Sequence, residues 1–214
     1  MTARLTPGWF HASASTKIST NKAPILKKLV MAYDEDFWSR YAEENEARYN
    51  EEFSKFTRDL AVSLGAASVL EIGCGTGIDL RLFPDTFEIK GIDLNDSALK
   101  IAKEKLPQGD FKKGTITDLP FGDSSVDFVF THQLLNYLDD QTLEKGISEM
   151  HRVAKKYIMN CEKFEQTEKR IDGRHKYRNM LKRWMDYKVR MVSNVDMHEE
   201  IDPDKSRFTL LRKL

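Results

Sequence analysis

The sequence predicts an α/β fold: a doubly wound, mostly parallel sheet with helices on both faces and an antiparallel hairpin at its C-terminal end. Three observations carry this. Short apolar runs alternate with helical periodicity from residue 68 to residue 161. A glycine-rich turn, Gly73-Cys74-Gly75-Thr76-Gly77, follows the first run, and an acid, Asp93, closes the second. After the fifth run come two further strand-like segments, 190–197 and 207–214, joined by a polar stretch containing Pro203. Strand–helix alternation demands crossover connections, and these cover both faces of a parallel sheet.

Residues 34–50 are rich in acids and aromatics, among them Phe37, Trp38, Tyr41 and Tyr49. Asn50 can cap a helix in which Phe53, Phe56, Leu60 and Leu64 recur at helical spacing, closed by Gly65. The first strand is Ser68–Ile72, followed by the glycine loop and a short helix ending near Pro84. The second, 88–92, leads through Asp93 to Asn95, an N-cap for a helix over 96–106. The third strand is 110–116 and the fourth 126–130. A helix with Leu143, Ile147, Met150 and Ala154 on one face precedes the fifth strand, 157–161. Residues 162–188 are basic and polar with a helical look, carrying Met180, Leu181, Trp184 and Met185.

The 214 residues suit one domain with a sizeable core. Lys plus Arg and Asp plus Glu both total 34. That balance gives no reason to expect nucleic acid or an acidic membrane surface. Two cysteines, Cys74 and Cys161, make no disulfide framework and point to a reducing cytoplasm. No apolar run approaches the ~20 residues of a membrane helix. Residues 1–33 carry Arg4, Lys17, Lys22, Lys27 and Lys28 but no acid before Asp34. They read as a disordered or non-native tail, or an upstream start before Met31, with transit-peptide composition as the alternative. The domain proper is expected over 34–214.

The glycines allow a tight turn in which backbone meets a ligand, and Asp93 is placed for the two hydroxyls of a ribose. A nucleoside-bearing cofactor follows. Dinucleotides favour G-x-G-x-x-G, whose loop holds a pyrophosphate. Here the spacing is G-x-G-x-G with Ile78 next, and Glu71 stands two residues before Gly73. An acid repels a diphosphate but suits a cationic amino-acid cofactor, which indicates S-adenosyl-L-methionine. Cys74, inside the loop, reads as packing rather than as a nucleophile.

These segments together resemble the class I S-adenosylmethionine-dependent methyltransferases over about residues 66–161. The likeness rests on the loop from Glu71 to Gly77, on Asp93, on Leu119-Pro120-Phe121 and on Asp127 at the start of the fourth strand. It implies a Rossmann-like methyltransferase fold with a seven-stranded sheet ending in an antiparallel hairpin. It implies cofactor contacts from Glu71, Gly73, Cys74, Gly75, Thr76, Gly77, Asp93 and Leu94. Thr131 and His132, expected on a helix after the fourth strand, join them. Thr115 stands where many members have an acid for the adenine amine, which shifts that contact to Thr115, Ile116 or Asp118. A narrower likeness, to the methylases associated with pseudaminic acid biosynthesis, rests on Asp36-Phe37-Trp38, Arg48, Asn50, Gly173-Arg174-His175-Lys176, Leu181-Lys182-Arg183 and the segment 208–213. It implies an acceptor near nonulosonic or nucleotide-sugar metabolism.

On the acceptor side, His132 and His175 are the candidate bases, with Gln133, Asn136, Tyr137 and Glu162 nearby. For His132 and Glu162 the competing reading is a pocket lining. Arg174, His175 and Lys176 suit a carboxylate or phosphate, the alternative being a solvated charge run. Trp38 and Tyr41 close either over the cofactor or over the core. Thr131-His132-Gln133-Leu134 lacks the Asn/Asp-Pro-Pro-aromatic pattern of exocyclic-amine nucleic-acid methylases. Neither cysteine follows a proline, as a cytosine-C5 enzyme requires. His11, His132, His151, His175 and His198 form no zinc-like spacing with the cysteines, so no metal is expected. The reading is methyl transfer to a small polar acceptor, without nucleic acid or membrane. The alternative is a non-catalytic cofactor-binding or partner-binding protein that kept the fold. The sequence carries no signal of oligomeric state.

Overall fold

The five apolar runs become five parallel strands, and the two late runs close the sheet as an antiparallel pair. The computed structural model describes residues 35–47, 51–171 and 175–214. The tail at 1–33, Arg48, the Asn50 cap and Arg174 lie outside the described residues. Helices α1 (Glu35–Ala47) and α2 (Glu51–Ser63) precede β1 (Ser68–Ile72). Next come β2 (Glu88–Asp93), α3 (Asp96–Lys105), β3 (Asp110–Lys113) and β4 (Val126–His132). Helix α4 (Asp140–Val153) leads into β5 (Ala154–Glu162) and a short hairpin of β6 (Lys169–Arg170) and β7 (Lys176–Tyr177). Helix α5 (Met180–Trp184), β8 (Val189–Asp196) and β9 (Arg207–Lys213) complete the chain. The seven-stranded sheet runs β3-β2-β1-β4-β5-β9-β8, with β9 antiparallel to both neighbours.

Period-two alternation divides the core between the two faces. Val69, Phe128 and Phe130 face α2 and α3, meeting Phe53, Ala61, Leu99 and Ala102. Leu70, Ile72 and Val129 face the other way, onto Leu143, Ile147 and Met150 of α4 and Trp184 of α5. Every residue of β1 is buried, so this strand is the axis on which the glycine loop is mounted. Burying each such side chain contributes about 1.5–3 kcal/mol. Local chemistry fixes the helix ends. The Asn95 side chain accepts the Ser97 and Ala98 amides at 2.9 and 3.1 Å, capping α3. Gly65, at φ +65°, ends the α2 segment while the Ala66 N–H donates to the Ala61 carbonyl at 3.1 Å.

Four expectations are corrected. The helix after the glycine loop is one 3-10 turn, Ile78–Leu80, and Pro84 bars its extension. Strand β3 stops at Lys113; beyond it Thr115 and Asp118 form only an isolated bridge. Thr131 and His132 extend β4 instead of opening a helix. Gln133, at φ +50°, breaks the path, and α4 waits for the Asp139 cap. The stretch 162–188, helical in look, holds the β6–β7 hairpin and is helical only over five residues.

Candidate active site

The order of the sheet reverses between β1 and β4, where strands leave in opposite directions and a crevice opens at their carboxyl ends. Three expected elements meet there: the glycine loop after β1, Asp93 ending β2, and His132 ending β4. The Gly73 and Cys74 amides donate to the Ile92 carbonyl at 2.7 and 3.0 Å, folding the loop back onto β2. Asp93 then holds the loop. Its carboxylate accepts the Gly75 N–H at 2.8 Å through one oxygen and the Asn95 N–H at 2.8 Å through the other. Each oxygen keeps lone pairs for further donors. Gly75 sits at φ +50° with open space where a Cβ would stand, whereas a Cβ at Gly77 would press on Ala102, Leu106 and Phe111. Gly75 therefore leaves room for a close approach to the backbone, and Gly77 serves helix–strand packing. The Cys74 thiol packs on the β2 backbone at Gly91, and burial pushes its pKa well up, so it is no nucleophile.

Beneath the loop, Glu71 is 2% exposed and its Oε2 has no hydrogen-bond partner. Burial first, then the carboxylates of Asp79 and Asp93, push its pKa well above the ordinary range. Carboxylates crowded around a backbone cradle disfavour a pyrophosphate, and a cation set against Glu71 would favour its charged form. The donor set fits an ammonium- and ribose-bearing cofactor, with Glu71 toward the positive group and Asp93 toward the ribose.

Helix α1 covers this crevice. The Thr76 hydroxyl donates to Glu46 at 2.8 Å, and Arg81 pairs with the same carboxylate at 2.5 Å. The Asn95 amide donates to the Ser39 hydroxyl at 3.1 Å. Trp38 meets Tyr137 edge-on at 5.3 Å, and Tyr137 lies 4.5 Å from His175. Trp38 and Tyr41 thus reach the segment after β4, at the carboxyl end of the sheet. Leu94 is 62% exposed beside Asp93, an apolar surface available to a base. Thr115 follows Gly114, whose amide donates to the Asp93 carbonyl at 3.0 Å, so it lies next to the acid. Ile116 turns its side chain into the core against Gly146, which leaves only its backbone for the cofactor.

The ends of β4 and β5 depart from expectation. His132 Nδ1 is 2.7 Å from Asp79 Oδ2, and its ring stacks on Phe53 at 3.7 Å. Its Nε2 is buried without a partner. Burial lowers its pKa, but Asp79, with Asp202 and Glu162, more than offsets this and holds it above the usual value. With one nitrogen engaged and the other enclosed, His132 is not placed to take an acceptor's proton. The Thr131 side chain is also enclosed. Its hydroxyl donates to Glu162 at 2.9 Å and accepts from Asn160, which in turn accepts the Trp184 indole at 2.6 Å. Glu162 further accepts the Leu134 and Leu135 amides at 3.3 and 3.0 Å, so it braces the turn after β4.

Burial raises the Glu162 pKa to about 7, against the pull of Leu135, Thr131 and Leu134. A carboxyl raised on folding holds more protons folded than unfolded, so its contribution to stability falls as pH rises from about 4.5 through about 7. Glu162→Gln cannot titrate. The denaturation midpoint of the wild type is expected to fall relative to that of Glu162→Gln between pH 5 and about 8. A wild-type midpoint that rises relative to the variant over that range contradicts the assignment.

Residues 69–157 match a family model described as a methyltransferase domain. That match marks residues 69–157 as a methyltransferase domain. It is 36% identical over 98 residues to an uncharacterized methyltransferase of Synechocystis sp., covering 45% of this chain and 46% of that protein. The matches span less than half the length of the first curated relatives, 46% and 37%. An S-adenosylmethionine-dependent methyltransferase of Aquifex aeolicus superposes with a TM-score of 0.61 at 18% identity, covering 85% of this chain and 98% of that one. Phosphoethanolamine N-methyltransferase 1 of Haemonchus contortus gives 0.67 at 20% identity, covering 84% and 48%. At such identities the likeness is one of fold: the Rossmann-like methyltransferase sheet.

Beyond the glycine loop, the fold corrects the reading of the basic cluster. Lys176 lies 2.8 Å from Asp140 and 3.0 Å from Glu168, so its charge is met internally and it is not an open anion site. His175 sits against Tyr137, whose ring also meets Trp38 of α1. Sequence reading missed Asp79, Glu46 and Arg178. Asp79 carried a faint signal, an acid two residues past the last glycine. Arg178 carried none. Yet it is 1% exposed and donates to the carbonyls of Leu135, Leu138 and Lys176 at 2.8, 2.5 and 3.2 Å. It ties the segment after β5 to the turn after β4. Asn136 adds to the tie through Lys163 and Lys176 backbone groups, so it is structural rather than a pocket lining. No helix among the described residues is long and apolar enough to cross a membrane.

Proposed function

We propose that this domain moves the methyl group of S-adenosylmethionine onto a small polar acceptor of the nonulosonic-acid or nucleotide-sugar class. The observation that carries the cofactor half is the buried, unpartnered Glu71 oxygen beneath an open glycine cradle held by Asp93. When bound, the cofactor supplies an electrophilic methyl on a sulfonium. Glu71 then faces the ammonium, Asp93 the ribose, and Leu94 with Thr115 the base. Helix α1 excludes water through Trp38 and Tyr41, which favours transfer by desolvation and alignment.

His132 and Glu162 are both engaged within the fold, so the acceptor is one that is nucleophilic without their help. A deprotonated amine or a carboxylate meets that requirement. The acceptor class rests on the likeness of 173–176, 181–183 and 208–213 to the pseudaminic-acid-associated methylases, with His175 as its contact residue and Arg174 as its anion binder. The two free, buried thiols, Cys74 and Cys161, support a cytoplasmic setting.

A labelled-methyl screen over nucleotide sugars, nonulosonic acids, small amines and carboxylates tests the reading. Label is expected in a sugar acid or nucleotide sugar. Label confined to added tRNA or protein overturns the acceptor assignment. Cofactor binding with no transfer to any acceptor favours the non-catalytic alternative.

A further inference from the structure

His132 and Cys161 are 29 residues apart in the chain, yet they are register partners on the adjacent parallel strands β4 and β5. Register partners project to the same face of a sheet, so the imidazole and the thiol stand side by side at its carboxyl edge. The loop between β8 and β9 lowers a third group onto them. Asp202 is 3% exposed, and its Oδ2 is 4.0 Å from Cys161 Sγ. The carboxylate does not swing freely, because Oδ1 accepts the Asp204 N–H and Oδ2 the Ser206 N–H, both at 2.9 Å. A ring nitrogen of His132, the Cys161 sulfur and an Asp202 oxygen all lie within 4.8 Å of one another.

The free nitrogen is the decisive detail. Asp79 engages Nδ1 at 2.7 Å, and Nε2 is buried with no hydrogen-bond partner. A carboxylate on one imidazole nitrogen fixes the tautomer and presents the other lone pair, which is how metal-binding histidines are held. Phe53, stacked at 3.7 Å and 15°, fixes the ring plane. The donors are one nitrogen, one sulfur and one oxygen, a set matched to a borderline-soft divalent ion rather than to calcium or magnesium. Bonds of about 2.0–2.3 Å in a tetrahedron separate ligand atoms by roughly 3.5 Å, within side-chain adjustment of the spacing seen here.

We infer that His132, Cys161 and Asp202 form a three-ligand site for a zinc-class divalent cation, with water as the fourth ligand and Asp79 orienting the imidazole. The ion ties β4, β5 and the β8–β9 loop together beside the cofactor cradle, and its binding does not depend on any methyl acceptor.

Cobalt(II) titration of the chelator-treated full chain tests this. A thiolate-to-cobalt charge-transfer absorption in the near ultraviolet, saturating at a single equivalent and displaced by zinc, is expected. Cys161→Ser abolishes it, Cys74→Ser leaves it, and Asp79→Asn weakens cobalt binding by about 10–100-fold. Absence of the band in the wild-type protein overturns the proposal, as does a band that survives Cys161→Ser. The wild-type titration decides alone should Cys161→Ser not fold. Loss of methyl transfer with the cobalt band intact leaves this site standing and counts only against the acceptor reading.

Discussion

Asp93→Ala is expected to weaken binding of S-adenosylhomocysteine by about 100-fold or more, since two charge-assisted hydrogen bonds to a ribose contribute roughly 1.5–3 kcal/mol each. The same change removes the acceptor for the Gly75 and Asn95 amides, so the loop also loses its clamp. Asp93→Asn separates the two roles. It keeps one acceptor oxygen but no charge, and an intermediate loss is expected. Isothermal calorimetry on the three proteins measures this, with circular dichroism confirming the fold. Affinity unchanged in Asp93→Ala would mean that another group takes the ribose.

Arg178→Ala is expected to cost about 3–5 kcal/mol of stability, because the guanidinium is buried and three carbonyls lose their donor together. Against an ordinary stability of about 5–15 kcal/mol, that brings the domain near its limit. Arg178→Lys keeps the charge without the fork and is expected to recover only part of the loss. Urea denaturation gives both values. A loss under about 1 kcal/mol would show that water replaces the donor and that the segment after β5 is held elsewhere.

Local chemistry was legible in the sequence where it decides the structure by itself. Ser68–Ile72 is a strand to the residue, Asn95 caps its helix, and the glycine loop and Asp93 meet as their spacing implies. Legibility failed where distant partners decide. Lys176 looks like an anion-binding lysine until the fold brings Asp140, 36 residues away, and Glu168 onto it. Thr131 and His132 read as a helix start because a helix does follow. The pairing of Thr131 with Asn160 and of His132 with Cys161 draws both into the sheet instead. Met180, Leu181 and Trp184 gave the stretch 162–188 a helical look, and the helix they form is a five-residue turn that plugs Trp184 under β5. The histidines and cysteines showed no metal spacing along the chain, because only strand register juxtaposes His132 with Cys161.

The central claim is that the loop 73–77, with Glu71 below and Asp93 beside it, is a cradle for a cationic amino-acid nucleoside and not for a dinucleotide. Parallel calorimetric titrations with S-adenosylhomocysteine and NAD test it most directly. Saturable binding of S-adenosylhomocysteine without heat from NAD is the result expected. Saturable binding of NAD, with none of S-adenosylhomocysteine, would contradict it.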